Sequence, residues 1–145
     1  MKTNTLILLA LLFICPFFSI AQKVKKEEAS ELTKIVFKKY NSGKLSTTKE
    51  IIPLGSSTKT DTREADTLLY IVPFEKGGYA IISGDKGAPP YLGYCPKGDF
   101  EESDLPPGLN YLLEKYKNKI YRIIKDKISP LPHDCIVWFN LNRNL

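Results

Sequence analysis

The side chains with the most chemistry to offer are one histidine, His133, and three cysteines, Cys15, Cys95 and Cys135. A thiol beside an imidazole is a nucleophile with its base, and His133-Asp134-Cys135 brings both types together; Cys95 is the other thiol available to His133. That tripeptide follows Pro130 and Pro132, and no third group is spaced to orient the imidazole. One histidine and two cysteines also fall short of a four-ligand zinc site. A second candidate is the stretch FEKGGYAIISGDKGAPPYLGYC, Phe74 to Cys95, with five glycines, an aspartate and two lysines. A phosphate cradle needs its glycines between a strand and a helix N-terminus, where backbone N–H groups and the helix dipole face the anion. Gly77-Gly78 instead joins two apolar runs, and Gly84 and Gly87 lead to Pro89-Pro90 and another short apolar run. The glycines are turn chemistry. Glu101-Glu102 are neighbours in a polar segment and need no role beyond solvation. The sequence is therefore expected to hold no catalytic residue, metal site or cofactor.

The elements around these residues follow from periodicity. Lys26 to Tyr40 carries Ala29, Leu32, Val36 and Tyr40 at helical spacing, with Ile35 widening the stripe. Asn41-Ser42-Gly43 stops it. EIIPL, Glu50 to Leu54, reads as a short edge strand, because Pro53 cannot donate to a central ladder. Gly55 to Asp66 is polar and aperiodic, a loop. Leu68 to Phe74 and Tyr79 to Ser83 are strands joined by a hairpin at Glu75-Lys76-Gly77-Gly78, and Tyr91 to Cys95 is a third. A long helix follows FEESDLPPG, with Ser103 and Asp104 as candidate caps. Its apolar stripe comprises Leu109, Leu112, Leu113, Tyr116, Ile120, Ile123, Ile124 and Ile128. Its other face is basic: Lys115, Lys117, Lys119, Arg122, Lys125 and Lys127. Pro130 and Pro132 are expected to end it. Cys135 to Leu141, CIVWFNL, reads as a last strand or an apolar tail docked elsewhere, and Trp138 as an anchor. The expected class is α+β: a small antiparallel sheet of three to four meandering strands against an N-terminal helix and a long C-terminal helix.

Met1-Lys2, the apolar run to Ile20 and the small residues Ser19 and Ala21 form a secretory signal peptide, cut between Ala21 and Gln22. An uncleaved anchor is the competing reading. Cys15 would leave with the signal. The mature chain then enters an oxidising compartment with two cysteines, and Cys95 and Cys135 are either a bridge or two small buried thiols. A net charge of +5 is weak ground for a nucleic-acid partner, and none is expected. No second apolar stretch predicts membrane insertion after cleavage. The expected organisation is residues 1–21 as signal, 22–129 as one domain and 130–145 as a C-terminal tail.

GGYAIISGDKGAPPYLGYCPKGDFEESDLPPGLNYLLEKYKNKI resembles the prosegment of the streptopain family of bacterial cysteine peptidases, and the free-standing inhibitors similar to those prosegments. The ordered motifs are Gly77-Gly78-Tyr79, Ile82-Ser83-Gly84-Asp85, Leu92-Gly93-Tyr94 and Gly98-Asp99-Phe100, followed by a helix. The resemblance is strong from Leu68 to Ile120 and does not reach beyond Ile128. It implies a domain that docks on a peptidase uncut and displaces the loop of the catalytic histidine with residues just before the long helix. The matching residues are Ser103, Asp104, Leu105, Pro106, Pro107, Gly108 and Asn110. Relatives often carry Asn where this chain has Gly108. With the sequence ending at Leu145, the expectation is an exported inhibitor of a streptopain-like cysteine peptidase, acting in trans. A folding assistant in trans, a basic module for anionic glycan or lipid, and a truncated peptidase remnant are the alternatives.

Overall fold

The structure, a computed structural model, describes residues 23–40, 47–55 and 67–143. The expected signal peptide with Cys15, the stop at Asn41-Ser42-Gly43 and nearly all of the polar loop 55–66 lie outside the described residues. The elements run α1 (Lys26–Tyr40), β1 (Ile52–Gly55), β2 (Thr67–Pro73), β3 (Tyr79–Ser83), β4 (Tyr91–Cys95), a 3₁₀ turn (Glu102–Asp104), α2 (Pro107–Lys125) and α3 (Pro132–Asn142). The four strands form one antiparallel meander in the order β1-β2-β3-β4. The class is α+β, as expected. β1 is an edge strand, and Pro53 sits opposite Tyr70 without breaking a central ladder.

Strand alternation divides the core into two layers. Leu69, Ile71 and Ile81 face one side, where they meet Leu113, Ile120 and Ile123 of α2. Tyr70, Val72, Ala80 and Ile82 face the other, where they meet Ala29 and Leu32 of α1 and Trp138 of α3. The sheet is thus covered on both faces, which is why LLYIVP and YAIIS are continuously apolar instead of alternating. Polar groups drawn into these layers are paired. Tyr70 Oη donates to the Val24 carbonyl at 2.8 Å, Thr33 Oγ1 to Ala29 at 2.8 Å and Trp138 Nε1 to Ala88 at 2.8 Å. Among the described residues no buried side-chain nitrogen or oxygen lacks a partner.

The motifs that carried the resemblance are packing devices. Gly77 and Gly78 have φ of 84° and 88° and close the β2–β3 hairpin. Gly84 lies where Leu68 O accepts its N–H at 2.8 Å and its own carbonyl accepts from Val24 at 2.9 Å. Asp85 is buried and turns the loop, its Oδ1 accepting from Gly87 N at 2.7 Å.

Three expectations are corrected: the caps of α2, the residues that end it and the last strand. Ser103 and Asp104 do not cap α2: they belong to the 3₁₀ turn, and the helix starts at Pro107, three residues after Asp104, with Pro106 as the capping residue and no side-chain cap bond. Pro107, whose missing N–H costs nothing at the first helical position, marks that start. Leu112 is 37% exposed at the edge of the stripe, whereas Leu113 is 1% exposed and joins α2 to the sheet with Ile120 and Ile123. Of the two isoleucines, Ile81 faces α2 and Ile82 faces α1.

The prolines do not end α2. It stops at Lys125 in a left-handed turn, Lys127 (φ 51°), with Ile128 N donating to Ile123 O at 3.0 Å and Lys127 N to Ile124 O at 3.4 Å. Pro132 instead opens α3. CIVWFNL is therefore helical, not a strand. Its β-branched and aromatic residues are overruled by the burial of Trp138, as tertiary packing overrules propensity.

Candidate functional site

The chain leaves β4 at Cys95 and passes through an exposed turn whose Gly98 has φ 86° and accepts from Gly78 N at 2.6 Å. Phe100 then dives back, its ring edge-on to Tyr79 with centroids 5.4 Å apart. Glu101 to Asp104 are exposed and wound into the 3₁₀ turn, closed by Asp104 N donating to Glu101 O at 3.2 Å. Leu105 is half-buried and extended (φ −80°, ψ 130°), packed on the α2-side core. Pro106, Pro107, Gly108 and Asn110 are again exposed, and Asn110 N donates to Pro106 O at 3.0 Å to begin α2. The result is a ledge pinned by Phe100, Leu105 and Leu109, which presents its remaining side chains outward.

All seven of the candidate residues, Ser103 to Gly108 and Asn110, therefore lie on this one continuous ledge. Six are exposed; Leu105 is the exception and is spent on the chain's own core, so it is an anchor of the ledge and not a free apolar plug. The two prolines fix φ and remove two N–H groups that an extended substrate would offer a cleft. At Gly108 an added Cβ would meet nothing within 4 Å. The ledge carries three carboxylates, Glu101, Glu102 and Asp104, while the following helix is basic. Beside the ledge, Lys49 Nζ meets Asp99 Oδ1 at 2.9 Å, at the mouth of a concavity of about 580 Å³ between β1 and Phe100.

The candidate nucleophiles lie apart from the ledge. His133 and Cys135 are exposed on α3, two positions apart, a spacing that does not bring side chains together on a helix. Cys95 ends β4 with its Sγ 3.1 Å from the Lys97 carbonyl. Cys95 is half-buried and Cys135 exposed, with no bridge between them, so neither is the small buried thiol of the alternative reading. Among the described residues no three His, Cys, Asp or Glu side chains gather as metal ligands, and no helix is long and apolar enough to cross a membrane.

The family described as Spi protease inhibitor matches residues 21–120, a stretch that contains the meander and the ledge. The chain belongs to the Spi protease inhibitor family. The match takes in α1, the whole sheet, the ledge and most of α2; it stops before α3. The chain is also similar to the Thiol protease/hemagglutinin PrtT of Porphyromonas gingivalis, 25% identical over 123 residues. Those residues are 85% of this chain and only 14% of that protein, so the chain spans about a seventh of its relative's length. No solved structure matches it.

What sequence reading missed in this Spi-family chain is the part after the match. α3 docks Trp138 into the core, with Lys86 Nζ 5.8 Å above its ring and 2.8 Å from Glu28 Oε1. Pro132 and Asp134 in the first turn were the available signal for that helix.

Proposed function

We propose that this chain is exported and inhibits a streptopain-like cysteine peptidase as a mimic of that enzyme's prosegment, with the ledge Ser103 to Asn110 lying across the active site. The observation that carries the reading is membership of a protease-inhibitor family over a region that contains the entire ledge. The similarity to a protein whose name describes a thiol protease favours a cysteine peptidase as the target. The geometry supports the ledge: exposed, restrained by two prolines, and anchored at both ends, so that little entropy is lost when it docks. In this reading residues 1–21 are a signal peptide removed between Ala21 and Gln22, and the mature protein is secreted or periplasmic. The chain acts by binding and not by catalysis.

Titration of the purified protein against streptopain-like peptidases tests the reading; unchanged activity at micromolar excess would remove it. Leu105→Asp is a poor site test, because the side chain packs on the core and its loss disturbs the fold. Gly108 is the better one. Gly108→Trp adds bulk where the chain itself offers no obstacle, and should weaken inhibition at least about tenfold, or roughly 1.4 kcal/mol, with unchanged melting. Gly108→Asn should preserve or strengthen it. Equal inhibition by wild type and Gly108→Trp would move the contact away from the ledge. N-terminal sequencing of the exported form should begin at Gln22.

A further inference from the structure

The exposed face of α2 does not end in open solvent. With the α2–α3 connection and α3 it walls a groove of about 760 Å³, whose apolar lining includes Ile123, Ile128 and Leu131. Tyr111 stands at the ledge end, 71% exposed. Lys115, Lys119 and Arg122 line one rim. Two carboxylates also line the groove. Glu114 is held by Lys117 Nζ at 2.9 Å, and Asp134 is buried. The three rim cations have no carboxylate within ion-pair distance among the described residues. The wall formed by residues 123–134 lies beyond the part of the chain that matches the family.

We propose that this groove is a second docking site, for an extended acidic segment of the partner peptidase in which carboxylates alternate with apolar side chains. Three features select that occupant. The cations recur at positions 115, 119 and 122 of one helix face, about 6 and 4.5 Å apart along the axis. An extended chain repeats its side chains on one face about every 6.6 Å, close to the step from Lys115 to Lys119, so alternate carboxylates can reach the cationic rim while the residues between them meet the apolar lining. Ile128 is 48% and Leu131 67% exposed, so apolar surface lies open beside the cations to receive the apolar side chains of such a segment. The groove also continues the ledge, since Gly108, Tyr111, Lys115 and Arg122 follow each other at helical spacing. One partner could engage both, and linked contacts of this kind raise affinity without improving either one. The proposal rests on the inhibitor reading for the identity of the partner, and on the groove alone for the chemistry of its occupant.

A fluorescein-labelled heptapeptide alternating glutamate and leucine tests it by anisotropy with the full-length mature protein. The expected result is saturable binding that weakens at least about tenfold in Lys115→Glu/Lys119→Glu/Arg122→Glu. Binding should be absent for the same peptide with lysine in place of glutamate, and weaker with serine in place of leucine. Trp138 fluorescence reports whether the variant is folded; Leu131→Asp, at a residue 67% exposed, gives an independent loss without touching a cation. Indifference to both variants, or equal binding of the lysine peptide, overturns the proposal. So does binding to phosphatidylglycerol vesicles through the same three cations with none to the peptide. No peptidase enters the experiment, so a negative result leaves the titration of inhibition standing, and failed inhibition leaves the groove's peptide binding standing.

Discussion

A methyl group on Gly84 would lie 2.1 Å from the Thr67 carbonyl oxygen and 2.9 Å from the Leu68 carbonyl carbon; one on Gly78 would lie 2.6 Å from the Cys95 carbonyl oxygen, at a φ that disfavours any side chain. Both obstacles are backbone, which cannot rotate away. Gly84→Ala and Gly78→Ala should each cost about 1–3 kcal/mol, the range for overpacking a tight site, read as a lower urea midpoint. Gly108→Ala, with open space around it, should be near neutral. Tyr79 sets a pH limit on the same sheet. Its burial, and then the Cys95 thiol beside it, push the phenol up to about 12, and burial raises Tyr70 as well. In the unfolded chain both phenols ionise near their ordinary value of about 10. Below that pH both states keep the proton and stability is unaffected. From about 10 to 12 the unfolded chain releases protons that the folded chain retains, so stability falls as pH rises. The urea midpoint should drop across that window, and Tyr79→Phe should flatten the drop. An identical alkaline slope in wild type and Tyr79→Phe would show that the phenol is not held in its neutral form.

At the scale of elements, α2 packs on the sheet through Leu113, Ile120 and Ile123. Leu113→Ala should cost about 2–5 kcal/mol, while Leu112→Ala, at a position 37% exposed, should cost clearly less. Sequence alone could not separate these neighbours, because a helical stripe has an edge and the edge is set by how the helix is rolled against the sheet. The C-terminus of α2 places Lys127 in the left-handed region, which costs a residue with a Cβ about 1–2 kcal/mol. Glycine there loses part of that advantage to its freer unfolded state, so Lys127→Gly should stabilise by about 0.5–1 kcal/mol in thermal or urea unfolding. α1 and the strands β3 and β4 were legible to the residue, because their periodicity and the bordering Gly and Asn punctuation agree. The edge strand was legible through Pro53. α3 was not: its run of Ile, Val, Trp and Phe carries strand propensity, and only contact between Trp138 and the core decides for helix. The same prolines that read as terminators start a helix instead. The ledge was legible as a segment because its prolines and glycine break both helix and strand. The status of Leu105 as an anchor was not, since it depends on a core assembled from distant strands. The groove beyond Ile123 depends on α3 and was hidden with it.

For the molecule as a whole, one sheet shared by two apolar layers predicts cooperative unfolding. α2 covers one face, α1 and Trp138 the other, and β2 and β3 contribute side chains to both. Losing either layer exposes the same two central strands, so neither layer should persist alone. The single tryptophan gives a direct test. It lies in α3, outside the region matched by the family, at 4% exposure, tied to Ala88 by its indole N–H. Native emission should be that of a buried indole and should shift to the red on unfolding. If α3 belongs to the cooperative unit, the fluorescence transition and the far-ultraviolet circular dichroism transition should coincide in urea. Lys86→Met should leave them coincident while lowering the common midpoint modestly. The ion pair with Glu28, whose side chains are only 24% and 16% exposed, and the contact over the Trp138 ring are each worth about 1–2 kcal/mol in such settings. An indole transition at distinctly lower urea than the dichroism transition would instead make α3 a separately released flap. In that case the groove's far wall would open while the ledge stayed in place, and inhibition and acidic-peptide binding would be lost at different urea concentrations. Coincident loss of both with the dichroism signal is the expected result.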